Sequence, residues 1–309
     1  NWPAPVFNGN YYRSTDHIAC ISKVTHGVVK DVAPEISSCY LPHAVDSNIF
    51  RKYKKNEEAF MEDVEDVKKR IQDSSMNYKN PNKKIFFWNN RNARRKQSGT
   101  LIWWFKEFLD EVGHDKATLL MHTDARDPHG QDLPHIINHL GVNDGQVLLS
   151  TQKIENKHLA AMYNAADFTI NISDAEGFGL ATLESLSCGT PIIVNMTGGL
   201  QEQVTDGKNW FGWGIEPTSK SVIGSLQVPY IYEDRMDQKD FHDTLKKAIN
   251  ISDKAYKKMS IQGMQHVKDN YGFDKFNKNW ANLIDKLIEE HGSWETRKGY
   301  NRWQLLEVA

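Results

Sequence analysis

Between residues 84 and 194, short apolar segments alternate with amphipathic stretches that have helical periodicity. The apolar segments have the length of buried strands, and the stretches between them repeat apolar residues every three or four positions. The predicted strands are 84–88, 117–121, 146–149, 168–172 and 191–194. The predicted helices are 101–109, 133–140, 159–166 and 180–188. This alternation predicts an α/β fold with a Rossmann-like, doubly wound parallel sheet.

The two ends of the chain depart from this alternation. Before residue 50 the pattern predicts two short strands, at 17–22 and 39–41, and one helix, too little for a complete doubly wound domain. The charged stretch 48–73 is interpreted as surface helix or loop. After residue 237 the pattern is purely helical and predicts a C-terminal extension, whose last stretch has Trp303 and Leu306 as apolar anchors. One face of this extension is apolar at helical spacing: Phe276, Trp280, Leu283, Ile284, Leu287 and Ile288.

Length and charge limit the classes of protein that fit. The 309 residues correspond to about two domains, and the net charge of -2 argues against a chain built as a whole to coat nucleic acid. No apolar run approaches the roughly 20 residues that cross a bilayer, so no transmembrane segment is expected. Cys20, Cys39 and Cys188 are interpreted as reduced, buried thiols, which indicates a cytoplasmic protein. The histidines form no zinc-type pair, and no metal site is predicted.

A glycine-containing turn, Glu176 to Leu180, lies between a predicted strand and a predicted helix. Gly177 and Gly179 allow the backbone to turn tightly and to approach a ligand closely. The helix that follows offers unpaired N–H groups and the positive end of a helix dipole at its start. The turn is therefore a candidate phosphate site, although an ordinary strand-to-helix turn explains the two glycines equally well.

A second candidate is the basic segment 83–96, which contains six basic residues and no acidic one. Arg91 and Lys96 follow the carboxyl end of a predicted strand, where ligands of open α/β sheets bind. The glycine turn ends a strand at the same edge, so two cations and a helix N-terminus are expected to face one diphosphate. The alternative is a solvated basic loop, which is the interpretation preferred for Arg94 and Arg95.

Other nucleotide-binding patterns do not fit. The sequence has no GxxxxGK[ST] phosphate loop, and it lacks the third glycine and the acidic residue of a dinucleotide fingerprint. Stacking of nucleic acid bases on Phe86, Phe87 and Trp88 is a further alternative. A buried strand explains these aromatic residues more simply, so no nucleic acid partner is expected.

Taken together, these residues resemble the donor half of the retaining family 4 glycosyltransferases, which have the GT-B fold. Glu176 and Glu184 enclose seven residues, and Cys188 begins a C-G-T-P segment, as in the E-x7-E signature of that family. The family also has an Arg and a Lys spaced as Arg91 and Lys96 are. Segment 42–46 (PHAVD) is similar to the family's P-x-G-V-D linker with Ala in place of Gly, and segment 198–202 (GGLQE) to its G-G-x-x-E turn.

The resemblance implies a role for each candidate residue. Arg91 and Lys96 would bind the diphosphate of the donor. Glu176 would contact hydroxyls of the transferred sugar, and Glu184 would contact the ribose. The other implied donor contacts are Gly177, Phe178, Gly179 and Leu180 in the turn and, against the base, Thr151, Gln152, Lys153 and Ile154.

The implied reaction moves a sugar from a UDP-sugar or GDP-sugar to an unidentified glycan, lipid or protein acceptor, with retention of configuration. No cofactor is implied, because Arg91 and Lys96 would stabilise the leaving diphosphate in place of a metal ion. Two alternatives stay open: a donor-binding module that is inactive on its own, and a sugar-nucleotide epimerase with the same fold, against which the E-x7-E form argues.

The resemblance also divides the chain. Residues 1–42 would be a remnant of the N-terminal acceptor domain, and residues 43–80 a linker and surface helix. Residues 81–272 would form the domain that binds the nucleotide-sugar donor. Residues 273–309 would form C-terminal helices that cross back toward the N-terminal domain.

Overall fold

The computed structural model of the chain describes residues 5–54, 56–224, 226 and 231–299. The strands of this part are β1 (His17–Cys20), β2 (Ser37–Tyr40), β3 (Lys84–Asn89), β4 (Ala117–His122), β5 (Val147–Ser150), β6 (Phe168–Asn171), β7 (Ile192–Asn195), β8 (Gly212–Ile215), β9 (Ser219–Ile223) and β10 (Ile231–Arg235). Its α-helices are α1 (Pro5–Arg13), α2 (Lys23–Val32), α3 (Glu58–Asp73), α4 (Ser98–Val112), α5 (Leu133–Leu140), α6 (Asn156–Ala165), α7 (Leu180–Ser187), α8 (Leu200–Val204), α9 (Gln238–Ile249), α10 (Asp253–Asn270) and α11 (Phe273–His291).

The central sheet has six parallel strands in the order β5-β4-β3-β6-β7-β8. The chain fills one half of the sheet outward from β3 and then returns to start the other half at β6. The strand order therefore reverses between β3 and β6. In sheets of this type, ligands bind in the crevice at this position, beyond the carboxyl ends of the strands. The prediction of a doubly wound parallel sheet is confirmed.

Both faces of this sheet are buried, as strand β3 demonstrates. Phe86 and Trp88 pack in one hydrophobic cluster with helix α4, whereas Phe87 packs in the other with helices α6 and α7. All three side chains are fully buried, because successive side chains of a strand point to opposite faces. These aromatic residues form the core and offer no surface for stacking nucleic acid bases.

The elements predicted between residues 84 and 194 are all present, and their ends differ by a few residues. The helix predicted at 133–140 coincides with α5, whereas the strand predicted at 146–149 begins and ends one residue later. The purely helical region after residue 237 is also confirmed, as α9, α10 and α11. Trp303 and Leu306 lie outside the described residues.

The first 50 residues contain more helix than predicted. Strands β1 and β2 pair in parallel, and the amphipathic helix α2 connects them. Val28 and Val29 are the buried residues of this helix. Helix α1 was missed because its sequence, PVFNGNYYR, has one glycine, two asparagines and only weak amphipathic periodicity. Cys39 is half-buried rather than buried.

An antiparallel hairpin, β9 and β10, follows the last strand of the central sheet and was not predicted. Two of the five residues of β9 are half-buried and three are exposed, so its sequence lacks the apolar alternation by which strands are recognised. None of the helices in the described part of the chain is long and apolar enough to cross a bilayer.

Candidate active site

The crevice between β3 and β6 brings together two segments that are far apart in sequence. Residues 90–97 follow β3 and contain a single 3-10 turn, Arg94–Lys96. Residues 172–179 follow β6 and lead into helix α7. The topology therefore places both candidate motifs, the basic segment and the glycine turn, at the position where ligands of such sheets bind.

A buried ion pair joins the two motifs. The Lys96 ammonium group contacts the Glu176 carboxylate directly and donates a second hydrogen bond to Asn90 Oδ1 at 2.8 Å. Both charged side chains are less than a tenth exposed. Burial lowers the pKa of Lys96, and the adjacent Glu176 carboxylate opposes this effect. The geometry thus sets a fixed cation and a fixed anion side by side in a poorly hydrated crevice.

The prediction that Arg94 and Arg95 belong to a solvated loop is wrong. Arg94 donates two hydrogen bonds to the carboxylate of Glu233, at 2.7 and 3.0 Å. Arg95 donates to the backbone oxygen of Ala175 at 2.5 Å, and its guanidinium lies 3.7 Å from Glu176 Oε2. Arg95 therefore adds a second, half-exposed cation beside the Lys96–Glu176 pair.

The glycine turn has the conformation that its sequence requires. Gly179 has φ +94°, in the left-handed region, and a Cβ there would lie 2.7 Å from Leu200 Cδ2. Helix α7 begins at the next residue, and no side chain caps its first N–H groups. These N–H groups are consequently available to an anion.

Helix α8 supports the turn from behind. Gln203 donates a hydrogen bond to the backbone oxygen of Phe178 at 2.7 Å. Gly198 has φ +51°, and a Cβ at this position would lie 1.6 Å from the backbone oxygen of Glu176. The segment 198–202 therefore packs closely against the glycine turn, and only glycine fits at 198. On the other side, the ring of His43 packs edge-on against Phe178, with the centroids 5.4 Å apart.

Glu184 lies one turn into α7 and is held by a hydrogen-bonded chain. Tyr163 donates its hydroxyl to Glu184 Oε2 at 2.8 Å, and Asn89 donates its amide to the Tyr163 oxygen at 2.9 Å. Burial raises the pKa of Glu184. Among the described residues, Glu184 Oε1 has no hydrogen-bond partner, so this oxygen is free to accept from a ligand hydroxyl.

Arg91 is not part of the cluster around Lys96. Its guanidinium forms two hydrogen bonds with Asp127, at 2.6 and 3.1 Å, and its side chain is 60% exposed. Arg91 does follow the end of β3, as predicted, but a ligand at Lys96 would reach it only if the pair with Asp127 opened or was shared.

Segment 151–154 follows β5 at the same edge of the sheet. Thr151, Gln152 and Ile154 border a cavity of about 730 Å³ between helices α3 and α6, whereas Lys153 is exposed and does not border it. Cavities of this size accommodate small organic ligands. Among the described residues, no group of three or more His, Cys, Asp or Glu side chains is arranged to hold a metal ion.

Sequence reasoning missed the residues that hold the motifs in place. These are Asn90, Gln97, Asp127, Tyr163, Asp174, Glu233 and Arg235, which contact the candidate residues or the turns that carry them. Asp174, two residues before Glu176, was the one detectable signal, since a charged residue three positions after a buried strand requires a partner.

Comparison with known proteins gives a consistent result. The sequence model of the family described as glycosyl transferases group 1 matches residues 69–266. D-inositol 3-phosphate glycosyltransferase 2 of Catenulispora acidiphila is 35% identical over 101 residues, which are 32% of this chain and 23% of that protein. Alpha-1,3/1,6-mannosyltransferase ALG2 of Dictyostelium discoideum is 29% identical over 159 residues, which are 52% of this chain and 32% of that protein.

Solved structures agree on the fold. Sucrose-phosphate synthase from Thermosynechococcus elongatus superposes with a TM-score of 0.70 at 17% identity, covering 93% of this chain and 62% of that one. Anabaena HepE in complex with UDP and glucose superposes with a TM-score of 0.68 at 13% identity, covering 92% of this chain and 67% of that one.

The chain spans less than a quarter of the length of the first relative and under two thirds of the synthase. The family match nevertheless covers more than half of the chain, and the sheet topology agrees with it. The chain therefore belongs to the glycosyl transferases group 1 family and has the fold of GT-B glycosyltransferases.

Proposed function

We propose that this chain binds a nucleoside diphosphate sugar and transfers its sugar to an acceptor with retention of configuration. The observation that carries the proposal is the buried Lys96–Glu176 pair, which lies at the switch point of the sheet beside the uncapped start of α7. A fixed cation next to free backbone N–H groups suits a diphosphate, and a neighbouring carboxylate suits sugar hydroxyls.

The charges of the pair suggest how a donor would be accommodated. Without a ligand, Lys96 and Glu176 neutralise each other. A diphosphate at the start of α7 would take over as the partner of Lys96, and Glu176 would then accept hydrogen bonds from the sugar. Arg91 joins this site in the proposal by exchanging Asp127 for a phosphate oxygen.

The transfer step needs stabilisation of a leaving group. The bond between the sugar C1 and the diphosphate oxygen breaks, and negative charge collects on the diphosphate. The acceptor oxygen bonds to C1 on the same face, and its proton passes to the departing phosphate oxygen. Lys96, the N–H groups of α7 and, after its exchange of Asp127 for a phosphate oxygen, Arg91 would be in place before the bond breaks, so they would lower this barrier without a bound metal ion.

The comparisons support the type of donor but not the acceptor. The relatives carry the names of glycosyltransferases, and one structural neighbour was solved with UDP and glucose bound. For this chain we propose UDP or GDP as the nucleotide. Glu184 would hold the ribose through Oε1, and the segment 151–154 would contact the base.

Titration calorimetry of the chain with UDP, GDP and ADP tests the proposal. We expect one of them to bind and Glu184→Ala to weaken that binding about tenfold, because a charge-assisted hydrogen bond to the ribose is lost. Glu289→Ala, which removes an exposed carboxylate on α11, is the matched control and should bind as the wild type does. Absence of heat with all three nucleotides would refute the proposal.

A further inference from the structure

The hairpin β9–β10 returns to the candidate site through the last residues of β10. Asp234 donates its backbone N–H to the backbone oxygen of Asp174 at 2.9 Å, just after β6. The flanking residues of β10, Glu233 and Arg235, point charged side chains at the two motif-bearing segments. The hairpin is thus tied to the crevice by both its backbone and its side chains.

Four charged side chains form an alternating network there. Arg94 contacts Glu233 at 2.7 Å, Glu233 contacts Arg235 at 3.2 Å, and Arg235 contacts Asp174 at 2.6 Å. Asp174 also accepts a hydrogen bond from the amide of Gln97. Arg94 and Gln97 belong to the same turn, so the network closes into a ring. Lys96 lies between these two residues in the sequence.

The carboxylates of this ring are buried, with 1% of the Glu233 side chain and 5% of the Asp174 side chain exposed. A buried carboxylate is stable only when cations and N–H donors satisfy it, so each member restrains its neighbours. The ring therefore fixes the position of the turn much more firmly than an exposed ion pair would.

The backbone of the turn gives an independent reason for such restraint. Gln97 has φ +56° and is the one non-glycine residue with positive φ among the described residues. Residues other than glycine adopt this left-handed backbone conformation at a cost in free energy, and it persists where the surrounding structure holds it in place. Here the hydrogen bond from Gln97 to Asp174 holds it, one residue after Lys96.

We propose that Glu233 and Arg235 are positioning residues, which hold the Arg94–Gln97 turn so that Lys96 and Arg95 face a diphosphate beside Glu176. This inference rests on the proposed function, since it concerns the same donor site. The hairpin then contributes to the site indirectly, by restraining the turn, because Glu233 and Arg235 contact Arg94 and Asp174 rather than Lys96 or Glu176.

The test compares nucleotides that differ in the second phosphate. Calorimetry measures the affinities of UDP and UMP, or of the GDP or ADP pair if that base binds, for the wild type, Glu233→Gln and Glu233→Ala. We expect Glu233→Ala to weaken diphosphate binding about tenfold to a hundredfold and to leave monophosphate binding unchanged, because only the cations move. Glu233→Gln keeps the shape of the side chain and should show a smaller loss.

A charge reversal distinguishes positioning from simple stabilisation. Arg94→Glu alone should lose diphosphate affinity, and the double variant Arg94→Glu/Glu233→Arg should recover part of it. Asp243→Ala removes the partner of Lys239 within helix α9, a pair that shares no residue with the ring, and serves as the control. Thermal midpoints of all variants report stability separately.

One further measurement requires no nucleotide. In NMR spectra of 13C-methylated lysines, the Lys96 resonance should shift in Glu233→Ala and stay unchanged in Asp243→Ala. A folded Glu233→Ala protein with the wild-type ratio of diphosphate to monophosphate affinity, or with an unshifted Lys96 resonance, would overturn the inference. If the wild type bound no diphosphate but Lys96 shifted, the proposed function would fail while the restraint of Lys96 by the hairpin would stand.

Discussion

At the scale of single residues, the Lys96–Glu176 pair should have a measurable effect on the free energy of unfolding. Removing one member of a buried pair leaves the other charge without a partner, which costs about 3 kcal/mol. Lys96→Met should therefore lower the free energy of unfolding by about this amount, and adding Glu176→Gln should restore most of the loss. Urea unfolding of the wild type, the two single variants and the double variant measures this cycle.

The cycle has a control in an exposed pair of the same charges. Lys239→Met removes the partner of Asp243 on α9 and should leave stability unchanged within error, because water replaces the lost contact. Simple additivity of the Lys96 and Glu176 substitutions would mean that the two groups do not interact in solution.

Asp174 gives the molecule a pH dependence of defined sign. Burial raises the pKa of Asp174 to about 6, although Gln97 and Arg235 favour its charged form. Because the folded protein then binds the proton more tightly than the unfolded chain does, this group stabilises the fold at low pH. Its contribution is lost as the pH rises through about 6. Relative to Asp174→Asn, the wild type should lose stability between pH 4 and pH 7.

Urea unfolding at several pH values measures that difference. Asp243→Asn is a control for which the stability difference from the wild type should change with pH in the opposite direction, because the hydrogen bond from Lys239 lowers the pKa of Asp243. A difference between wild type and Asp174→Asn that stays constant from pH 4 to pH 7 would show that Asp174 titrates normally.

At the scale of elements, the contact between the two glycine-containing turns is the most restrictive feature. Gly198→Ala would place a methyl group against the backbone of Glu176, so the turn before α7 would have to move. Gly207→Ala introduces the same kind of strain, since φ is +89°, but has nothing within 4 Å. We expect Gly198→Ala to abolish nucleotide binding and Gly207→Ala to preserve it, as measured by calorimetry. Equal binding by both variants would contradict this assignment.

The sequence predicts much of this level of structure, and its failures have a common cause. Strands such as β3 and helices such as α5 are encoded by local apolar periodicity, so they are recovered closely. The partners of Arg94 and Arg95 are not local: Glu233 lies 139 residues from Arg94. A charge run shows that cations are present, but only the folded chain shows which of them are paired.

The hairpin β9–β10 was not predicted from the sequence for a related reason. Its strands gain their stability from pairing with each other and from the ring at Glu233 and Arg235, and neither interaction leaves a periodic signal in the sequence. The positions of Lys96 and Glu176 beyond strand ends were predictable, because both motifs follow predicted strands. Their direct contact was not, because it depends on strand order.

At the scale of the whole molecule, the N-terminal unit is joined to the central sheet through a buried carboxylate. Glu202 accepts hydrogen bonds from the Lys23 backbone N–H at 2.9 Å and from the Tyr40 hydroxyl at 3.0 Å. A second connection runs from the Val45 N–H to the Tyr271 oxygen at 2.9 Å. The β1–α2–β2 unit thus lies against helix α8, close to the turn that carries Phe178.

The position of the site at the reversal of strand order also constrains how the molecule folds. Lys96 and Glu176 are 80 residues apart, and β4, α5, β5 and α6 all lie between them in the chain. Local helices form early, whereas a pairing of such long range must await closure of the intervening loop. A partly folded chain with nearly native helix content would lack the contact between Lys96 and Glu176. Under the proposed function, retention of nucleotide is therefore a stricter criterion of complete tertiary structure than the helix content measured by circular dichroism.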